Sequence, residues 1–499
     1  MSSLADDTRW LDATAQAELV ASGEVSAVEL ADAAIERIER LDGELNAVNL
    51  RWFEAAREAA RSADLPAGPL TGVPFLLKDL NSHMAGTPMT NGNVALRDAG
   101  YVCSTDTELV ARFRSAGLVT LGRTSSPELG TLPVTEPIAF GPTRNPWDTS
   151  RTPGGSSGGA AAAVASGMVP IAHASDGGGS IRIPASCSGL VGLKPSQGRI
   201  TTGPFRPETG LGVELVVSRS VRDTALVLDA VHGPGVGDTV IAPAPTAPWT
   251  ASVGSDPGRL RIGLLDHHPF GGEIDPDCAE AARVTARLLE GLGHSVEPGF
   301  PSALADEGVR DRFMALWAVQ AALGRAGLGD LLGRPLVESE MEPVNWLQAE
   351  FADRMSGVDY GAALAAAATF RRSCQGWWHD GFDLLVTPTT AQVSPLIGEH
   401  DHRDGDPLAP MRRAGEWIAF TSAFNMSGQP AISLPMHRTA AGLPVGVQLV
   451  AAYGREDLLL AVAGQLAAGR VRRPDVGSRL RRRARGRRHL PAQLSGLVA

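Results

Sequence analysis

The stretch GGSSGGAAAAVASGMVPIAHASDGGGSIRIPA, residues 154–185, carries two glycine–serine clusters separated by a run of small apolar residues. In isolation the first cluster, GGSSGG, reads as a flexible linker. Here it opens directly into an alanine-rich segment with strong helical preference, and a linker does not run into a helix and a strand. Gly154–Gly158 also satisfies GxSxG, the nucleophile elbow of α/β-hydrolases. That elbow requires a preceding strand, and TRNPWDTSRTP (143–153) is too rich in Pro, Asn and Asp to be one. A phosphate-binding loop fails as well, because no GK[ST] follows. In the second cluster, three glycines precede Ser180. They leave backbone N–H groups uncovered and permit unusual φ/ψ values, as an oxyanion hole requires. A tight turn between strands is the alternative. None of the eleven histidines is marked out by sequence as the partner of such a serine.

A serine nucleophile needs a base, and the sequence offers one upstream. TGVPFLLKDL (71–80) contains Lys78, one of two lysines in a chain with 43 arginines; the other is Lys194. A lysine can serve as base if its pKa falls from ~10.4 toward 7 or 8, a shift of roughly 3–4 kcal/mol that burial among apolar residues supplies. An arginine cannot lose its proton in a protein. Lys78, directly after an apolar run, is therefore the position where deprotonation matters, and Lys194 reads as a surface lysine.

Working outward, the 499 residues are 43% hydrophobic and 20% charged, enough for a globular protein with a sizeable core. Cys103, Cys187, Cys278 and Cys374 are widely spaced with no CxxC pair, which suits buried free thiols in a reducing compartment. MSSLADDTRW lacks the pattern of a secretory signal, and no uninterrupted apolar run approaches a membrane span. A cytoplasmic protein with no membrane partner is the expectation. The net charge is −10 although residues 470–499 hold ten arginines against one acid, so the body is more acidic than the total suggests. That argues against nucleic-acid binding by the core. The Arg-rich tail reads as a disordered end, an arm for an anionic surface, or the product of a shifted reading frame.

Residues 1–65 read as a helical segment, with Ser26 and Glu29 at capping-box spacing ahead of the apolar face of Leu30, Ile35, Ile38 and Leu41. Residues 66–469 read as an α/β core. AGLVTLGRT (116–124), GLVGLKPSQGRI (189–200), RLRIGLL (259–265) and HSVEPGF (294–300) are strands, and Asp275–Pro276 opens the helix between the last two. IAPAPTAPWTASVGSDPG (241–258) reads as a surface linker. Alternating elements in both halves predict an α/β fold with a mixed sheet.

These elements together resemble the amidase signature family. Residues 154–185 fit its long signature at almost every position, GVPFLLKD (72–79) resembles its lysine segment, and FDLLVTPTT (382–390), FNMSGQPAISLP (424–435) and GLPVGVQLVAAYGREDLLL (442–460) resemble its C-terminal blocks. The similarity covers about residues 10–468. It implies a mixed, twisted sheet flanked by helices on both faces, and hydrolysis of a small or oligomeric amide without metal or cofactor. It implies Ser180 as nucleophile, Lys78 as general base and Ser156 as a bridging serine after a cis peptide at Gly155. The backbone of Gly177, Gly178, Gly179 and Ser180 would form the oxyanion hole, and an acyl-enzyme would follow. A homodimer is implied by family habit. Gly177 departs from the pattern, standing where much of the family has threonine. Substrate choice is expected in residues 300–420, with Trp317, Trp417 and Phe420 as pocket walls. Two rivals remain: the amidase subunit of a tRNA-dependent amidotransferase, and a non-catalytic scaffold, which would be expected to have lost one of the three side chains. GEHDHRDGD (398–406) could attract a metal through His400 and His402, but the spacing matches no structural zinc pattern and a solvated loop is expected.

Overall fold

The computed structural model describes residues 3–206, 211–306, 308–401 and 405–471. Eleven strands are found among them: β1 (Val48–Arg51), β2 (Pro74–Lys78), β3 (Val119–Thr124), β4 (Ile171–Asp176), β5 (Val191–Lys194), β6 (Val213–Ser218), β7 (Arg261–Leu264), β8 (Ser295–Pro298), β9 (Leu384–Pro388), β10 (Ala431–Arg438) and β11 (Pro444–Ala451). Eight form one mixed sheet in the order β4-β6-β5-β10-β11-β9-β7-β8. Neighbours run antiparallel from β4 to β9, and β9, β7 and β8 are parallel. The parallel end is the βαβ unit read from sequence. Asp275 caps the helix Pro276–Gly291 by accepting from the Asp277 amide, and the chain returns as β8.

β1, β3 and β2 form a second, three-stranded sheet. The first 65 residues are therefore not purely helical, because β1 pairs antiparallel with β3. The Ser26–Glu29 capping box forms as read, with Ser26 accepting from the Glu29 amide and Glu29 from the Ser26 amide. β2 has every residue buried, so Lys78 ends a strand with no solvent face. The alanine-rich run becomes the helix Gly158–Ala165, also wholly buried, since a helix of side chains this small can enter the core without displacing it.

A second expectation changes. The 241–258 stretch is not a free linker: Trp249 is buried, meets the His232 ring edge-on at 4.7 Å, and lies beneath the Arg199 guanidinium. An aromatic side chain of that size anchors a segment whose Pro/Ala/Thr composition alone reads as unstructured. All four cysteines are buried free thiols, in line with their spacing. Residues 472–499, most of the Arg-rich tail, lie outside the described residues. No helix among the described residues is long and apolar enough to cross a membrane.

Candidate active site

Lys78 Nζ donates to Ser156 Oγ at 2.7 Å and to Ser175 Oγ at 2.9 Å. The side chain is completely buried. Burial lowers its pKa, the charges of Glu214 and Asp176 pull it back up, and it settles at about 7. A lysine so placed is readily neutral. In the neutral form the bond to Ser156 can reverse: one N–H stays on Ser175 while the lone pair turns to accept from the Ser156 hydroxyl.

The backbone holds this side chain from behind. Lys78 N–H donates to His173 Nδ1 at 3.3 Å, which places the ring proton on Nε2, 3.1 Å from Glu214 Oε2. Arg206 binds the other Glu214 oxygen. His173, Ser175 and Asp176 belong to β4 and Glu214 to the neighbouring β6, so the sheet ladder sets the spacing.

The peptide between Gly155 and Ser156 is cis. Gly130 faces Ser156 at a φ of +69°, which favours glycine, and a Cβ there would stand 3.1 Å from Ser156 Oγ and 2.5 Å from Leu80 Cδ2, so a side chain would push on both. Exposure rises from Lys78 at 0% to Ser156 at 2% and Ser180 at 7%. The order suits a base shielded from water and a nucleophile within a substrate's reach. The structure joins Lys78 to Ser156 directly. Ser180 follows on the loop after β4, and no hydrogen bond links it to Ser156 among the described residues. Catalytic hydrogen bonds often close only once substrate is bound.

Asp176 organises that loop. It accepts from Gly179 N–H (2.7 Å) and Ile181 N–H (3.2 Å) and pairs with Arg182 at 2.9 Å, both side chains fully buried. Burial alone would raise the Asp176 carboxyl; Arg182, then Lys194 and Asn425, more than offset it and hold it well below the usual carboxylate range. Gly179 adopts φ +137°, a left-handed value that favours glycine. Because its N–H is committed to Asp176, the expected four-donor hole narrows. Gly177, Gly178 and Ser180 keep N–H groups without a partner among the described residues.

Of the expected pocket walls, Trp317 alone is partly exposed and lies against Gly177. Trp417 is core, with its indole N–H on the Gln392 carbonyl, because the helix Ala409–Trp417 turns it inward. Phe420 is likewise enclosed, packed with Phe424 and Met426. Lys194 is not a surface residue. It is fully buried, donates to the Pro195 carbonyl at 2.9 Å and is lowered to about 7 by burial and by Arg182. His400, expected in a solvated loop, is buried with its ring 5.5 Å from that of Trp417. His402 lies outside the described residues, and no group of three metal-binding side chains occurs among them. Ser175, Gly130, His173 and Glu214 were not singled out from sequence. Only Ser175 had a local signal, two residues before the glycine run.

With a serine–serine–lysine arrangement on a mixed α/β sheet, the comparison with known proteins is direct. The amidase family profile matches residues 29–460, and the chain belongs to the amidase signature family; it is a hydrolase acting on carbon–nitrogen amide bonds. It is 44% identical to the 6-aminohexanoate-cyclic-dimer hydrolase of Pseudomonas sp. (strain NK87), over 92% of this chain and 94% of that one. The solved structure of a 6-aminohexanoate cyclic dimer hydrolase complexed with substrate superposes with a TM-score of 0.89 at 43% identity, covering 92% of this chain and 97% of the other. A bacterial aryl acylamidase of the same family gives 0.80 at 29% identity, covering 92% and 96%.

Proposed function

We propose that this amidase cleaves small linear or cyclic amides, 6-aminohexanoate oligomers among them, through Ser180, Ser156 and Lys78 by way of an acyl-enzyme. The observation that carries the reading is the 2.7 Å contact of a fully buried lysine, at about pKa 7, with Ser156 Oγ.

In this reading neutral Lys78 takes the proton of Ser156, and Ser156 takes that of Ser180. Ser180 Oγ bonds to the amide carbon, and the carbonyl electrons move to oxygen. The free N–H groups of Gly177, Gly178 and Ser180 stabilise that oxyanion. The proton returns through Ser156 to the amide nitrogen, the C–N bond breaks and the amine leaves. Water then attacks the acyl-Ser180 ester, its proton passing along the same route, and the carboxylic acid departs. The likeness to cyclic-dimer hydrolases supports the substrate class. A cytoplasmic homodimer acting on a small amide is the setting this reading adopts.

The test is hydrolysis of linear and cyclic 6-aminohexanoate oligomers and an aryl amide by the wild type, Ser180→Ala and Lys78→Ala. Cleavage lost in both variants is the expected result. An inert wild type, or active variants, would overturn the reading.

A further inference from the structure

Gly177 and Trp317 fit as a pair. A Cβ on residue 177 would come within 3.0 Å of Trp317 Cζ3 and 3.3 Å of Cη2. One residue on, a Cβ at Gly178 would meet Phe313 Cζ at 3.1 Å. Carbons in good van der Waals contact lie ~3.5–4.0 Å apart, so neither position accepts a side chain unless the rings withdraw. Phe313 and Trp317 are four residues apart on the helix Gly308–Leu332 and stack on each other, with centroids 5.2 Å apart and planes at 22°. One face of that helix thus covers the start of the loop that ends in Ser180.

The rest of the loop is held by hydrogen bonds. Thr421 Oγ1 donates to the Gly178 carbonyl at 2.6 Å, and Asp176 holds the Gly179 and Ile181 amides. The peptide that carries the Gly177 N–H is held through the Asp176 carbonyl, which accepts from Asn425 Nδ2 at 2.9 Å; the next peptide, between Gly177 and Gly178, has no side-chain hydrogen bond among the described residues. The Trp317 indole N–H is itself buried without a partner among them. The ring is therefore kept in place by shape and stacking, and it acts on the loop by shape.

We propose that Trp317 is a positioning residue for the oxyanion hole. Its benzo edge stands where a side chain at 177 would otherwise be, and so keeps the Gly177 and Gly178 N–H groups aimed at the oxyanion formed when Ser180 attacks. Gly177 is the complementary half of the device, since any side chain there forces ring and loop apart. The inference rests on the amidase reading of Ser180.

The test is a double-mutant cycle on the full chain with Gly177→Ala, Trp317→Ala and the two combined. It reads kcat and KM on an amide the wild type cleaves, the rate at which a fluorophosphonate labels Ser180, and the melting temperature. A misplacement of up to an ångström near the reacting atoms costs up to about a hundredfold, so each single change is expected to lower kcat about tenfold with KM nearly unchanged. The double variant should be no slower than Trp317→Ala alone, because the ring that collides with a methyl group at position 177 is gone. Trp317→Phe, which lacks the benzo edge, gives the same comparison if the alanine variant does not fold. Additive losses, a change confined to KM, or kcat within twofold of wild type would overturn the proposal while the amidase reading stood. A wild type that neither cleaves amides nor takes the label would remove that reading and this inference with it.

Discussion

Lys78 and Lys194, the two lysines of the chain, are both completely buried, and burial draws each down to about 7, yet only Lys78 meets hydroxyl groups. Its Nζ donates to Ser156 and Ser175, whereas that of Lys194 donates to the carbonyl of the next residue. Ease of deprotonation alone therefore does not mark a base. The neighbour that gives up a proton does.

Lys78→Arg is expected to lower kcat/KM by about 10²–10⁴, the usual contribution of a general base, because arginine stays charged. Lys194→Met should leave the activity of the folded fraction within about tenfold of wild type, outside that range. In the wild type, kcat/KM should rise with pH through about 7 as Lys78 becomes neutral. A flat profile from pH 5 to 9 would tell against Lys78 as the base.

Glu214 supports the charged form of Lys78, as does Asp176, while Arg206 opposes it. Glu214→Gln removes the negative charge and frees Arg206 to act on the site, two changes of the same sign. The Lys78 pKa should fall, and the acidic limb of the pH–rate profile should move to lower pH. Loss of activity with the limb unmoved would assign Glu214 a purely structural role beside His173.

Lys78→Met should show how burying this amine affects stability. In the wild type Lys78 takes up a proton on unfolding between its folded value of about 7 and its ordinary 10.5. Within that window the unfolded state binds the extra proton, so wild-type stability rises with pH by about 1.4 kcal/mol per unit. The variant lacks this contribution. Its stability relative to wild type should grow as pH falls from 10 to 7 and level off below 7, as read by urea unfolding at each pH.

Trp249→Ala should destabilise the protein by about 3–5 kcal/mol, the usual cost of deleting a buried tryptophan. It should also expose the 241–258 segment to limited proteolysis. Arg199, which lies over the indole, pairs with Glu456 at the start of the helix Glu456–Val471, so the loss should spread to that helix. A change under about 0.5 kcal/mol, as at an ordinary surface site, would restore the segment to a free linker.

Much of the molecule was legible in the chain itself. Residues 154–185, the lysine segment and the capping and turn signals around Ser26 and Asp275 are local patterns. Their meaning depends on neighbours a few positions away, through backbone propensity and the N–H groups that glycine leaves uncovered. The scarcity of lysine could likewise be read without coordinates, because only lysine of the two cations can lose its proton.

What the tertiary structure decided is which groups meet. Lys78 touches Ser175 across 97 positions, Arg182 reaches Asn425 across 243, and Trp317 lies against Gly177 on a helix from the other half of the chain. No local pattern encodes those distances. The burial of Lys194, Trp417 and His400 depends in the same way on what covers them. Desolvation, the largest influence on the buried lysines, is a property of the assembled surroundings, so sequence pointed to Lys78 while packing lowered its pKa and chose its partners.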